Sequence, residues 1–264
     1  MKKKQRSHTE IQVGALFLDY DGTISPLNVP ISESAVSPEN MAVLHKISQR
    51  IPVAVITTKD LPFMVRRTPF AHAWSSLGGL EMKIGDVTVK APCLRNMTPY
   101  LTKALKYAKR FSGDDLIIEE KQDSEGAVVA FSVDWRQAKN GYAAEKRTLK
   151  IASYCETLPV VTIRYEGQPF FDVFPCPINK GKALLELKRK LGLRSGILYM
   201  GDSAVDNAAF EEADIAVGVL HEETPSNLVC DFFVKFEDVA AFLRGLLKDN
   251  FHLSLSPPLI LHRE

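Results

Sequence analysis

The chain has 264 residues, 45% of them hydrophobic and 25% charged, which excludes a disordered, collagen-like or fibrous protein and allows one large domain or two modest ones. Lys plus Arg number 33 against 32 Asp plus Glu, and a formal charge of +1 gives no electrostatic basis for a nucleic-acid or anionic-membrane partner. The cysteines, Cys93, Cys155, Cys176 and Cys230, form no CxxC pair and have no companion His spacing, so the expectation is free buried thiols rather than zinc or a disulfide.

Lys2, Lys3, Lys4 and Arg6 read as a solvated basic tail. The apolar run Val13–Leu18 is too short for a signal-peptide core or a membrane span, and the expectation is a cytoplasmic monomer or weak oligomer. Gly14 to Leu18 reads as a strand buried on both faces that ends at Asp19. Ser37-Pro38-Glu39 opens a helix running to about Gln49, and Pro52 to Ile56 is a second buried strand. Short strand signals follow over residues 70–90, with a Gly85-Asp86 turn.

The middle of the chain changes character. A helix from Thr98 to Arg110 carries Leu101, Leu105 and Ala108 at helical spacing. Strands at 116–118 and 128–133, a helix over 139–157, and strands at 160–164 and 170–174 then complete an αββαββ order. Ala91-Pro92 and Pro175-Cys176-Pro177 bracket this module. Beyond it come an amphipathic helix from Asn179 to Leu191 ended by Gly192, a buried strand at 197–200, a helix over 205–212, a strand at 215–219 and a helix over 238–247. Residues from Ser254 to Glu264 read as a tail. The fold class is α/β: a doubly wound, mostly parallel sheet of residues 1–90 and 176–264, with an α+β domain of residues 91–175 inserted.

Four segments carry chemistry. In Asp19-Tyr20-Asp21-Gly22-Thr23, two carboxylates two apart leave a strand's C-terminal end on the same side, at the edge where open α/β sheets bind ligands. Paired carboxylates there suit a hard cation such as Mg²⁺. Gly201-Asp202-Ser203-Ala204-Val205-Asp206 repeats the pattern at a second strand tip, so a shared metal site follows, with Asp19, Asp21, Asp202 and Asp206 as candidate ligands. Asp206 also fits the ordinary preference for acids at helix starts. Lys180 stands at a helix N-terminus, where it can meet a phosphate and the carboxylates around it. Thr57 and Thr58 end the second strand with hydroxyls and amides suited to phosphate oxygens, or equally serve as a helix cap.

In chain order these segments resemble the motifs of the haloacid dehalogenase superfamily of phosphatases, and within it the trehalose-6-phosphate phosphatases. The resemblance implies that Asp19 is the nucleophile, Asp21 the general acid/base, Thr57 the hydroxyl residue of the second motif, Lys180 the basic residue of the third, and Asp202 and Asp206 the acids of the fourth. It further implies Mg²⁺ held by the Asp19 side chain, the Asp21 carbonyl and the Asp202 side chain. The inserted module resembles that family's cap, in which Lys121, Arg136 and Asp172 fall at substrate-contacting positions. This chain departs from the family at Phe174 (for an Arg), Asp172 (for a Glu), Asp134-Trp135 (for His-Tyr), Leu77-Gly78-Gly79 (for Glu-His-Gly) and Thr58-Lys59 (for Gly-Arg). The implied activity is Mg²⁺-dependent hydrolysis of a small sugar phosphate, led by trehalose 6-phosphate. Mannosyl-3-phosphoglycerate, sucrose 6-phosphate and a non-catalytic sugar-phosphate-binding role are the alternatives.

Overall fold

Short apolar runs become strands that are buried along their whole length. The computed structural model describes residues 9–165, 167–222 and 227–255. In chain order it begins with β1 (Thr9–Gln12), β2 (Ala15–Leu18), α1 (Pro38–Ser48) and β3 (Val53–Ile56). Every residue of β2 and β3 is buried, as a strand inside a parallel sheet requires. The start of α1 is set by Ser37, whose hydroxyl accepts from the Asn40 N–H (3.1 Å), with Pro38 at the first helical position. Next come α2 (Leu61–Arg67), β4 (Ala73–Ser76), β5 (Glu81–Ile84), β6 (Val87–Lys90), α3 (Pro92–Asn96) and α4 (Thr98–Ala108). They are followed by β7 (Ile117–Gln122), β8 (Val128–Asp134), α5 (Gly141–Glu156), β9 (Val161–Arg164) and β10 (Phe170–Phe174). The last stretch is α6 (Lys180–Lys190), β11 (Ile197–Gly201), α7 (Asn207–Glu212), β12 (Ile215–Leu220), β13 (Phe232–Lys235), α8 (Val239–Lys248) and β14 (His252–Leu255).

The described residues form two compact units. One holds those up to Ile56, Thr68–Ala73 and those from Lys180 onward; the other holds Thr57–Arg67 and Trp74–Asn179. The second unit is larger than the 91–175 module because hydrogen bonds join its flanking segments to that module, such as Gln122 N–H to Asp60 Oδ2 (3.1 Å) and Ser124 Oγ to Glu81 Oε1 (2.6 Å).

In the first unit five strands run parallel in the order β13-β12-β11-β2-β3. The chain winds from β2 to β3 on one side and from β11 outward on the other, so the winding reverses between β2 and β11. The carboxyl ends of the strands at such a reversal form the usual ligand crevice. Around this sheet α1 packs on α8 and α6 on α7. Strands β1 and β14 make a separate antiparallel pair, with Glu10 opposite Ser254.

In the second unit β7-β8-β10-β9 form an antiparallel sheet. Period-two alternation divides its faces. Phe131, Val133, Phe171 and Val173 join Leu101, Ala104 and Ile151 of α4 and α5 in one core. The intervening residues, Ala130 and Phe174, belong to a different cluster with Leu77, Leu80 and Leu94.

Several expectations are corrected. Cys93 and Cys176 are joined as a disulfide, their Cα atoms 6.3 Å apart across 83 residues of sequence. The fold brings the two ends of the module together, a proximity that cysteine spacing does not encode. Cys155 and Cys230 are free, and burial pushes each thiol up to about 11. The helix expected over 205–212 divides into a tight 3₁₀ turn, Ala204–Asp206, and α7. Ser254 is no tail residue, since it pairs in β14; residues 256–264 and the basic residues Lys2–Arg6 lie outside the described residues. Strands β1, β13 and β14 and helices α2 and α3 were not anticipated. Asp60 caps α2, accepting from the Phe63 N–H (2.9 Å), so neither Thr57 nor Thr58 is that cap. Among the described residues no helix is long and apolar enough to cross a membrane.

Replacing Ser37 with Ala leaves the Asn40 N–H without its acceptor; urea denaturation is expected to show a loss of about 1 kcal/mol in unfolding free energy.

Candidate active site

Register places the acids. Leu18 lies opposite Met200 in neighbouring parallel strands, and the Asp19 N–H donates to the Met200 carbonyl (2.9 Å). Asp19 and Asp202 therefore leave adjacent strand tips. Two glycines make room for the carboxylates. Gly22 has φ +70°, and a Cβ there would collide with the Asp202 carboxylate. A Cβ on Gly201 would lie 2.5 Å from Asp206 Cγ.

Lys180, the first residue of α6, is buried, with its Nζ 2.7 Å from Asp19 Oδ2 and 2.7 Å from Asp206 Oδ1. Asp206 Oδ1 also accepts from the Tyr199 hydroxyl (2.5 Å), while Oδ2 accepts from the Asp202 N–H (3.2 Å), the Ser203 N–H (3.0 Å) and the Ser203 hydroxyl (3.0 Å). The Ser203–Asp206 pair is a capping box, which explains the tight turn where a longer helix was expected. By contrast, no hydrogen bond reaches the Asp202 carboxylate among the described residues.

One oxygen of each of Asp19, Asp202 and Asp206 lies within 4.8 Å of the others, and all three residues are buried. Lys180 is the only cation bonded to this cluster among the described residues, so negative charge is in excess. The titration behaviour records that excess. Burial pushes the Asp19 carboxyl up to about 7, against the attraction of Lys180 and with the added repulsion of Asp206. Burial, then the charges of Asp19 and Asp206, pushes Asp202 well above the ordinary carboxylate range. Burial disfavours the Lys180 ammonium, yet Asp19 and Asp206 outweigh it and hold the group charged. An all-oxygen, charge-deficient cluster with one carboxylate free of donors fits a hard divalent cation such as Mg²⁺. Asp19 and Asp202 are the ready ligands; the Asp206 oxygens are already taken up by donors.

Asp21, also in the first unit, is not one of the three clustered carboxylates; its Oδ1 accepts from Ser34 Oγ (3.3 Å). Thr57, Thr58, Lys121, Arg136 and Asp172 lie in the second unit. Thr57 is buried, its Oγ1 accepting from the Lys59 N–H (3.2 Å) and its carbonyl from the Gly78 N–H (2.8 Å). The Thr58 carbonyl accepts from Lys121 Nζ (3.2 Å). Lys121 also pairs with Asp172 Oδ1 (2.8 Å) and lies 5.2 Å from the Phe174 ring centroid. Asp172 accepts further from Ser132 Oγ (2.5 Å) and the Tyr165 hydroxyl (2.7 Å). Burial alone would raise its pKa; the Lys121 charge and these hydrogen bonds overcome that and lower it. Arg136 is not part of this group. Its guanidinium folds onto Asp134 (Nε to Oδ2, 2.9 Å) and over the Phe170 ring.

Sequence reasoning did not single out Tyr199, Ser203, Ser132, Tyr165 or His221, whose Nε2 lies 2.6 Å from the Gly22 carbonyl oxygen. The one available signal was Tyr199 itself, a hydroxyl inside an otherwise apolar strand that had to find a partner.

No protein-family model matches the chain. It is 26% identical over 267 residues to a probable trehalose-phosphate phosphatase of Oryza sativa subsp. japonica, covering 89% of this chain and 67% of that one. It is 26% identical over 206 residues to a trehalose-phosphate phosphatase of Mycobacterium tuberculosis, covering 75% of this chain and 50% of that one. Among solved structures, the C-terminal domain of C. albicans trehalose-6-phosphate phosphatase superimposes with a TM-score of 0.73 at 18% identity, over 90% of this chain and 93% of that one. A HAD subclass IIB sugar phosphatase gives 0.58 at 12% identity, over 90% and 100%. The chain has the haloacid dehalogenase fold. Its sequence is similar to the trehalose-phosphate phosphatases.

The raised Asp19 pKa gives the sign of a pH dependence in this haloacid dehalogenase core. A carboxyl whose folded value lies above its unfolded one costs the metal-free fold stability as pH climbs from about 4 toward 7. A cation that needs the carboxylate must displace that proton at low pH. Calorimetric titration with Mg²⁺ is expected to show affinity at least about tenfold higher at pH 7.5 than at pH 5.5, with proton uptake by the buffer. A pH-independent affinity contradicts it.

Proposed function

We propose that this chain is a Mg²⁺-dependent phosphatase that hydrolyses a small sugar phosphate through an aspartyl-phosphate, with trehalose 6-phosphate as its preferred ester. The observation that carries this reading is the buried Asp19 carboxylate, held at 2.7 Å by Lys180 beside Asp202 and Asp206.

In the first step the Asp19 carboxylate attacks phosphorus, and Asp21 gives its proton to the departing sugar oxygen. In the second, Asp21 takes a proton from the water that hydrolyses the aspartyl-phosphate. Lys180 orients the nucleophile through Oδ2 and sets a fixed positive charge beside the transferred group, so little reorganisation is needed during transfer. Asp206, saturated with donors, orients Lys180 and the loop after β11. The Asp19 and Asp202 carboxylates and the Asp21 carbonyl would hold Mg²⁺, which when bound would supply positive charge to the phosphoryl oxygens. Thr57 and Thr58 assist at the phosphate.

Sugar hydroxyls fall to the 91–175 module, with Lys121 and Asp172 as the contacting groups and Arg136, held by Asp134, reaching the sugar only if it leaves that partner. A buried Lys–Asp pair ringed by hydroxyl donors suits this role, because a sugar lacking the matching hydroxyl leaves a buried polar group unpaired. Phe174 beneath Lys121, where the trehalose-phosphate phosphatase pattern has Arg, favours a second reading: a different sugar on the same chemistry, such as mannosyl-3-phosphoglycerate or sucrose 6-phosphate. The similarity to trehalose-phosphate phosphatases favours trehalose 6-phosphate.

A panel of sugar phosphates assayed for free phosphate with Mg²⁺ decides between these readings. Trehalose 6-phosphate is expected to turn over fastest, and Asp19→Asn to lower kcat by at least about a thousandfold, roughly 4 kcal/mol of barrier. Faster hydrolysis of another ester retires trehalose 6-phosphate. Phosphate release from none of them leaves a sugar-phosphate-binding protein.

A further inference from the structure

A general acid is useful only if its proton faces the leaving group, and the structure shows what holds the Asp21 carboxyl. Tyr20, Ser25 and Ser34 are all buried. The Tyr20 hydroxyl donates to the Ser34 carbonyl (2.9 Å), and the Gly22 N–H donates to the Ser25 carbonyl (2.8 Å). These bonds tie the segment after the first motif back onto its own start. The Ser25 and Ser34 hydroxyls lie 3.1 Å apart, and Ser34 Oγ donates to Asp21 Oδ1 (3.3 Å).

With an unprotonated oxygen at Asp21 Oδ1, the direction of this relay follows. A serine hydroxyl carries one hydrogen, so Ser34, which gives its own to Asp21, must receive from Ser25. The chain of donors therefore runs Ser25 to Ser34 to Asp21 and ends on Oδ1. An Oδ1 kept as an acceptor in this way leaves Oδ2 to carry the hydrogen when Asp21 acts as an acid.

We propose that Ser34 is a positioning residue for proton transfer to the leaving group: it selects the Asp21 oxygen that bears the proton and fixes the rotation of the carboxyl. Ser34 acts through Asp21 and has no role of its own on substrate. The proposal rests on the reading of Asp21 as general acid. It assigns a purpose to a buried polar cluster that metal binding and nucleophilic attack leave unused.

The test exploits the leaving group. A sugar alkoxide must be protonated as it departs, whereas p-nitrophenolate leaves without a proton. The quantity kcat/KM covers only the steps up to that departure, so the later work of Asp21 on water does not enter it. In the full-length, Mg²⁺-loaded protein, Ser34→Ala is expected to lower kcat/KM for the best sugar phosphate by about ten- to a hundredfold, and for p-nitrophenyl phosphate by less than about threefold. Equal losses on both esters would show a merely structural role, and no loss on either would show that Ser34 is idle; each overturns the proposal. Tyr20→Phe, which frees the Ser34 backbone with a smaller change in shape, is expected to move the same ratio in the same direction and serves if Ser34→Ala does not fold. A wild-type protein that hydrolyses neither ester removes the phosphatase reading itself, an outcome distinct from an unchanged ratio.

Discussion

Three buried carboxylates facing one lysine form the constraint on which this structure depends. Removing a carboxylate from water costs several kcal/mol unless charge and hydrogen bonds compensate it. The first unit meets that cost unevenly. Asp206 is satisfied by Lys180, Tyr199 and Ser203, and the Asp202 N–H. Asp19 has Lys180. The Asp202 carboxylate accepts no hydrogen bond among the described residues. This gradation, from saturated to bare, leaves a site that a divalent cation completes, and every element around it serves the same end. Parallel register brings two strand tips side by side, two glycines let the carboxylates approach the backbone, and the first residue of α6 delivers the ammonium.

The second unit handles buried charge differently. Lys121 and Asp172 are both almost wholly buried and neutralise one another at 2.8 Å, with Ser132 and Tyr165 donating to Asp172 and the Thr58 carbonyl accepting from Lys121. The net direction of the Asp172 shift, downward despite burial, marks a pair in electrostatic balance. Such a balanced pair offers no excess of negative charge for a metal.

Much of this was legible from residue order. Uninterrupted apolar runs such as Ala15–Leu18 and Ile197–Met200 announce strands buried on both faces, and an acid at the end of each announces a site. Ser37-Pro38 announces a helix start. What stayed hidden depends on tertiary proximity or on elements too short for periodicity. Helix α2, with seven residues, has no room for an amphipathic repeat, and its signal was the Asp60 cap with Pro62 in the first turn. Strands β1 and β14 pair with one another across most of the sequence, and among the described strands with no other. The Cys93–Cys176 bond follows from the return of β10 to the start of the module. Asp206 looked like a helix-start acid, and it is a capping residue, yet the same carboxylate turns inward to hold Lys180. Local and tertiary roles coincide there, and sequence alone shows only the first. Arg136 illustrates the converse, because a partner two residues away at Asp134 captures it.

The central claim is convergence of Asp19 and Asp202 on one cation. Anomalous diffraction from crystals grown with Mn²⁺, an electron-rich stand-in for Mg²⁺, measures that directly. The account predicts a single strong anomalous peak contacting carboxylate oxygens of both residues, lost in Asp202→Asn. A protein that binds Mn²⁺ elsewhere, or shows no peak between these two side chains at saturating metal, contradicts it.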